Sequence, residues 1–293
     1  MTVTSDYQKI SPTAKLVAEM RRYSDIAFAE EIAKTLDTAQ TVKEILGGEP
    51  FAKEVLQWMA PLAEARYKSL LQAVRKSAGK QILEFASGFC FRGAVLAKDP
   101  SLRYVETDLP EVHEERLKMR HHLEAQGSLP PRPQLVFAPA NLMSESEVEK
   151  AVEGFDETKP LTILHEGLFQ YFSLDEKKEA ARVIGKLLKR FGGVWMTPDF
   201  ETKEDKLKLQ WTHPQFRVLF LSLVASTQRY LLDTAFENDD HVISFFSDLG
   251  FTVTKTPQID SQFQLSSAAS VGTTSEQLEA LRASRHLWVL RLE

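Results

Sequence analysis

A single cysteine, Cys90, is all the thiol this 293-residue chain contains. An intrachain disulfide is therefore excluded, which suits a reducing, cytoplasmic setting. Long hydrophobic runs are missing too. The longest apolar stretch, "VLFLSLVA" at residues 218–225, falls far short of the roughly 20 residues a membrane helix needs. The N-terminal "MTVTSDYQK" is too polar for a secretory signal. Excess positive charge is absent. With 36 Lys and Arg against 41 Asp and Glu, the net charge is −5, which leaves no footprint for a polyanion, and nucleic acid is not expected as a partner. His113, His121 and His122 share one predicted helix, but His113 and His121 miss the i,i+4 spacing that grips a metal, so no metal site is expected.

What is present is an ordinary globular composition, 43% hydrophobic and 26% charged, with enough chain to bury a large core. Residues 1–78 read as a helical N-terminal cap. Ser11 is placed to cap a first helix with Pro12 at its first turn, and Ser24 or Asp25 to cap a second that runs to about Leu36. A later helix is expected to break at Pro61 and stop at Gly79. From residue 79 to 293 the rhythm becomes strand–helix alternation. "QILEF", "RYVET", "QLVFAP", "LTILHEG" and "GVWMTPD" are each separated by helical segments. Such alternation predicts an α/β fold, a doubly wound, mostly parallel sheet covered on both faces. An apolar helical insertion at about residues 203–237 follows, then a strand at "FTVTKT", a polar loop "DSQFQLSSAASVGTTSEQ" and a last strand in "RHLWVLRLE". Seven strands with no crossover helix before the last one match the inventory of a class I, Rossmann-like methyltransferase.

In such sheets the ligand sits beyond the carboxyl ends of the strands, where strand order reverses. Glu84 ends the first strand, Ser87 and Gly88 turn the chain, and Asp108 ends the second, 24 residues after Glu84. That is near the roughly 20-residue interval at which a carboxylate reaches ribose hydroxyls. The loop "EFASGFCFRG" lacks the glycines with which a dinucleotide site cradles pyrophosphate, since Ala86 and Cys90 stand where glycines are expected. A cofactor without phosphates, S-adenosylmethionine, needs only local backbone approach, and one glycine can provide that.

Four stretches carry a family resemblance. "ILEFASGFCFRGAVLA", "YVETDLPEV", "LTILHEGLFQYFSLDE" and "SPTAKLVAEMRRYSDIAFAEEI" resemble the motifs of the leucine carboxyl methyltransferase-like family of class I S-adenosylmethionine-dependent O-methyltransferases. The resemblance covers most of residues 11–200. It implies that Lys15 and Arg66 neutralise the cofactor carboxylate, that Gly88 lets the backbone approach the methionine moiety, and that Asp108 binds the ribose. It also implies that Asn141 sits beside adenine and Glu166 bonds the cofactor amine; Glu84 joins the cofactor-binding candidates by its place at the end of the first strand. Ala86 departs from the family pattern by replacing a glycine, and Asn141 falls where Asp is common.

The activity implied is methyl transfer, by in-line displacement, to a carboxyl or hydroxyl group of a small molecule. The insertion and the N-terminal helices are expected to form a lid over the acceptor. Trp58, Tyr171, Trp211 and Phe216 are candidate pocket walls, and His213 is a candidate base or polar anchor. Two other readings remain at this stage, a nicotinamide-dependent oxidoreductase and a non-catalytic interaction module on the same fold. Oligomeric state is not legible.

Overall fold

The computed structural model describes residues 12–77, 79–212, 214–259 and 264–293, so Ser11 lies outside the described residues. Seven strands form one sheet: β1 (Gln81–Phe85), β2 (Arg103–Asp108), β3 (Leu135–Pro139), β4 (Leu161–His165), β5 (Gly193–Thr197), β6 (Phe251–Pro257) and β7 (His286–Leu292). Their order is β3-β2-β1-β4-β5-β7-β6. The first five run parallel, while β7 is antiparallel to both β5 and β6. The sheet is therefore mixed and mostly parallel.

The central strands β1, β4 and β5 form on mostly apolar runs (QILEF, LTILH, GVWMT), whereas β6 (FTVTKTP) alternates apolar and polar residues and is largely exposed. Every residue of β1 and β4 is buried, as expected for central strands covered on both faces. Helices α5 (Arg92–Leu96), α6 (Pro110–Ala125), α7 (Glu145–Ala151) and α8 (Leu174–Phe191) make the crossovers. Helix α8 begins at a capping box, with the Ser173 hydroxyl on the Glu176 amide and the Glu176 carboxylate on the Ser173 amide. Gly193 opens β5 at φ +109, where a Cβ would lie 2.1 Å from the Leu161 carbonyl oxygen, so no other residue fits. Behind β5 the fully buried Trp195 meets Phe246 edge-on at 5.3 Å and 87°, a favoured aromatic geometry.

The N-terminal helices are α1 (Pro12–Arg21), α2 (Ala29–Thr35), α3 (Thr38–Ile45) and α4 (Lys53–Lys76). Two expectations change here. The second helix is capped by neither Ser24 nor Asp25 and begins at Ala29, after Phe28 at φ 67. Helix α4 runs unbroken through Pro61. A proline cannot donate to the carbonyl four residues earlier, and that Gln57 carbonyl instead accepts the Thr273 hydroxyl at 2.7 Å.

The insertion comprises α9 (Lys203–Thr212) and α10 (Pro214–Thr227) and closes at its base through a bridge between Thr202 and Phe236. Helix α11 (Asp239–Ser247) then leads to β6. The polar segment expected to be a loop contains α12 (Ser266–Val271) and the start of α13 (Ser275–Ser284). The buried Glu64 carboxylate of α4 accepts the Ser266 and Ser267 amides at 3.0 and 2.8 Å, supplying the first turn of α12 with a cap from another helix. No described helix is long and apolar enough to cross a membrane.

Candidate active site

Strand order reverses between β1 and β4, and a cavity opens there. Its walls are the end of β1 and the loop after it (Glu84 to Cys90), the end of β2 and the next residue (Asp108, Leu109), Asn141 after β3, and residues after β4 between Glu166 and Phe172. Helix α1 closes it with Thr13, Ala14, Val17 and Arg21, and α4 contributes Arg66. Of the sequence candidates, Arg66, Glu84, Gly88, Asp108, Asn141, Glu166 and Tyr171 thus come together around one space.

The β1 loop is shaped by two left-handed residues, Ala86 at φ 49 and Gly88 at φ 52. The Gly88 amide donates to Asp108 Oδ2 at 2.6 Å, and the Leu109 amide to Oδ1 at 2.8 Å. Burial pushes the Asp108 carboxyl up, against the pull of these two amides. Arg116 donates to the Gly88 carbonyl and pairs with Glu106 at 2.6 Å, so the loop is held from both sides.

Behind the loop lies an arginine–carboxylate network. Arg92 is fully buried and bonds Glu84, while its other terminal nitrogen meets Glu166 Oε2 at 2.6 Å. Tyr104 donates to Glu84 Oε2 at 2.7 Å. Arg21 meets Glu166 Oε1 at 2.6 Å, and Arg66 Nε stands 3.6 Å from the same oxygen. Burial works to raise the Glu166 carboxyl, but the three guanidiniums outweigh it and hold it below its ordinary value. Burial pushes the Cys90 thiol up to about 11 despite Arg92, and it raises the Tyr171 phenol, which donates to Thr13 Oγ1 at 3.0 Å.

Several candidates lie elsewhere. Lys15 points away from the cavity and pairs with Glu115 at 3.0 Å. The cavity-facing stripe of α1 is Thr13, Ala14, Val17 and Arg21, and Lys15 is turned about 100° off Ala14. Trp58 packs with Leu62, Ala65 and Leu281 on the side of α4 that faces α13. Phe216 is fully buried one turn before Leu219, which joins Leu16, Met20 and Val42 in a separate cluster. No described residue of 203–237 lines the cavity, and the described part of the insertion packs on the N-terminal helices through Leu219. His213 and the side chain of Trp211 lie outside the described residues. Sequence reading missed Arg21 and Arg92. The signal for Arg21 was its spacing from Ala14 and Val17 along one face of the helix.

The donor set suits S-adenosylmethionine. Arg21 Nε and Arg66 Nε are buried without hydrogen-bond partners among the described residues, beside a carboxylate, Glu166, able to receive an ammonium. Asp108 is a fixed acceptor pair for a diol, and Leu109, Val112, Leu142 and Phe172 offer apolar walls. A Cβ at Gly88 would meet only Ala14, at an ordinary 3.5 Å, but the left-handed φ of +52 favours glycine there. No glycine-rich phosphate cradle is formed.

Among solved structures, a DUF574 family protein from Streptomyces avermitilis superposes with a TM-score of 0.53 at 14% identity, covering 94% of this chain and 97% of that one. At that identity it speaks for the fold alone. The methyltransferase domain of bacterial CtHen1 gives 0.48 at 13% identity, over 79% and 100%. PigF with SAH gives 0.48 at 15% identity, over 99% and 71%. Among curated proteins no sequence matches. Residues 13–185 match the leucine carboxyl methyltransferase family model, more than half of the chain, and the chain belongs to this family of S-adenosylmethionine-dependent methyltransferases.

Proposed function

We propose that the protein O-methylates a carboxylate on a small, largely apolar molecule. In this reading Arg21 and Arg66 receive the cofactor carboxylate, Glu166 the ammonium, Asp108 the ribose hydroxyls, and Asn141 the adenine edge. Gly88 gives backbone approach, and Glu84 acts from behind by holding Arg92. Residues 1–78 form the cap, residues 79–293 the catalytic domain, and residues 203–237 a prop for the cap.

The bound sulfonium supplies a methyl group already activated for displacement. The protein's part is to align the acceptor and exclude water. The wall of Leu168, Gln170, Tyr171 and Phe172 faces the acceptor and does both.

One observation carries the choice of carboxylate over hydroxyl. Among the described cavity-lining residues, every titratable side chain is committed. Glu84 and Glu166 are paired with arginines, Asp108 is held by two amides, and burial raises Cys90 and Tyr171. A hydroxyl acceptor needs a base to take its proton, and a carboxylate arrives without one. His213→Ala is accordingly expected to keep full turnover.

The test is a panel of carboxylic acids and phenols incubated with methyl-labelled cofactor. Label released as methanol by mild alkali identifies a methyl ester and supports the reading. A base-stable methyl ether as the main product overturns it.

A further inference from the structure

Asp199 lies two residues beyond β5, and its fully buried carboxylate receives five donors. Oδ1 accepts the Gly167 amide at 2.7 Å and Arg66 Nη2 at 2.8 Å. Oδ2 accepts the Leu168 and Phe169 amides at 2.8 and 3.2 Å and His165 Nδ1 at 2.9 Å. Burial works to raise this carboxyl, yet His165, Arg66 and the Gly167 amide hold it well below the usual carboxylate range.

Three consecutive amides can converge on one carboxylate only because the chain curls at Gly167, whose φ is +80. That curl starts the short 3₁₀ turn Phe169–Tyr171, which carries Gln170 and Tyr171 into the cavity wall. Asp199 is not itself part of the cavity lining. Arg66 is, and it reaches Asp199 from α4 while its Nε faces Glu166 at 3.6 Å. The carboxylate therefore ties three parts of the site together: the cap helix, the end of β4 and the end of β5.

His165 fixes the orientation of that carboxylate. Its ring is fully buried, stacked on Phe169 at 4.4 Å, with Thr197 Oγ1 3.1 Å from Nδ1. An ionised carboxylate opposite Nδ1 places the proton on that nitrogen, so the ring donates to Asp199.

We propose that Asp199, oriented by His165, is a positioning residue for methyl transfer, aiming the Arg66 guanidinium and locking the cavity-wall turn at residues 167–171. The proposal rests on the cofactor site and not on the identity of the acceptor.

The test is a double-mutant cycle. Asp199→Asn, Arg66→Ala and the double variant are titrated calorimetrically with S-adenosylhomocysteine, well below their unfolding temperatures. Each single variant is expected to lose roughly tenfold or more in affinity, the scale of one hydrogen bond to a charged group. Because Asp199 acts partly through Arg66, the double variant should lose clearly less than the product of the single losses. His165→Gln should shift affinity in the same direction by a smaller factor, and it replaces Asp199→Asn in the cycle if that variant does not fold. Unchanged affinity with only a lowered Tm, or fully multiplicative losses, would overturn the proposal. Failure to find an acceptor leaves this readout intact, since it measures cofactor affinity alone.

Discussion

Arg92 and Glu166 meet at 2.6 Å behind the cavity, and Arg92 bonds Glu84 with its other terminal nitrogen. One buried guanidinium therefore joins the end of β1 to the segment after β4, across the point where strand order reverses. A buried ion pair adds little net stability, but removing one partner strands the other in a low dielectric.

Arg92→Met is accordingly expected to destabilise the fold by about 3–5 kcal/mol, because it leaves Glu84 and Glu166 short of a partner. Denaturant unfolding monitored by circular dichroism measures this. A loss below about 1 kcal/mol would show that Arg21, Arg66 and Tyr104 suffice to satisfy both carboxylates.

Ala86 sits at φ 49 in the loop after β1, a left-handed conformation that costs a residue with a Cβ roughly 1–2 kcal/mol. Glycine adopts it freely but loses more backbone entropy on folding. Ala86→Gly should therefore raise stability by about 0.5–1 kcal/mol. A lower denaturation midpoint would mean that the Ala86 methyl contributes more to packing than its strain costs.

Asp108 is fixed by the Gly88 and Leu109 amides at the end of β2. Asp108→Ala removes the proposed ribose acceptor, and affinity for S-adenosylhomocysteine should fall roughly 10- to 100-fold, the scale of hydrogen bonds to a charged group. Calorimetric titration measures it, and an unchanged Kd would place the ribose elsewhere.

Lys177 of α8 is buried and donates to the Phe172 and Thr234 carbonyls. Burial, with Lys206 nearby, lowers its ammonium from 10.5 to about 7. Between these values the unfolded chain binds a proton that the folded chain does not, so the stability this group contributes rises with pH across the window and is lost as pH falls towards 7. The unfolding free energy of the wild type relative to Lys177→Met should therefore increase between pH 7 and 10. A difference that stays flat or falls would show that the folded ammonium keeps its ordinary affinity for protons.

The central strands were legible because each is a short, mostly apolar run closed by turn residues, and burial on both faces rewards that pattern; β6 was legible by its alternation of apolar and polar residues. All seven fall within two residues of the segments read from sequence. Asp108 and Gly88 were legible for a related reason, since strand-end positions in a parallel sheet map directly to sequence spacing. Helices α12 and α13 were not. "SSAASV" has little apolar character of its own, and what caps α12 is Glu64, about 200 residues away. Pro61 reads as a break until Thr273 is seen bonding the Gln57 carbonyl.

By itself, then, the sequence determined the sheet, its order of elements and the carboxylates at strand ends, all set by local periodicity. Tertiary structure decided which cation of α1 faces the cavity. The roll of α1 turns Arg21 inward and Lys15 outward to Glu115. Packing of α1 against α2, α3 and α4 sets that roll, and a helix with polar residues on more than one side does not declare it in advance.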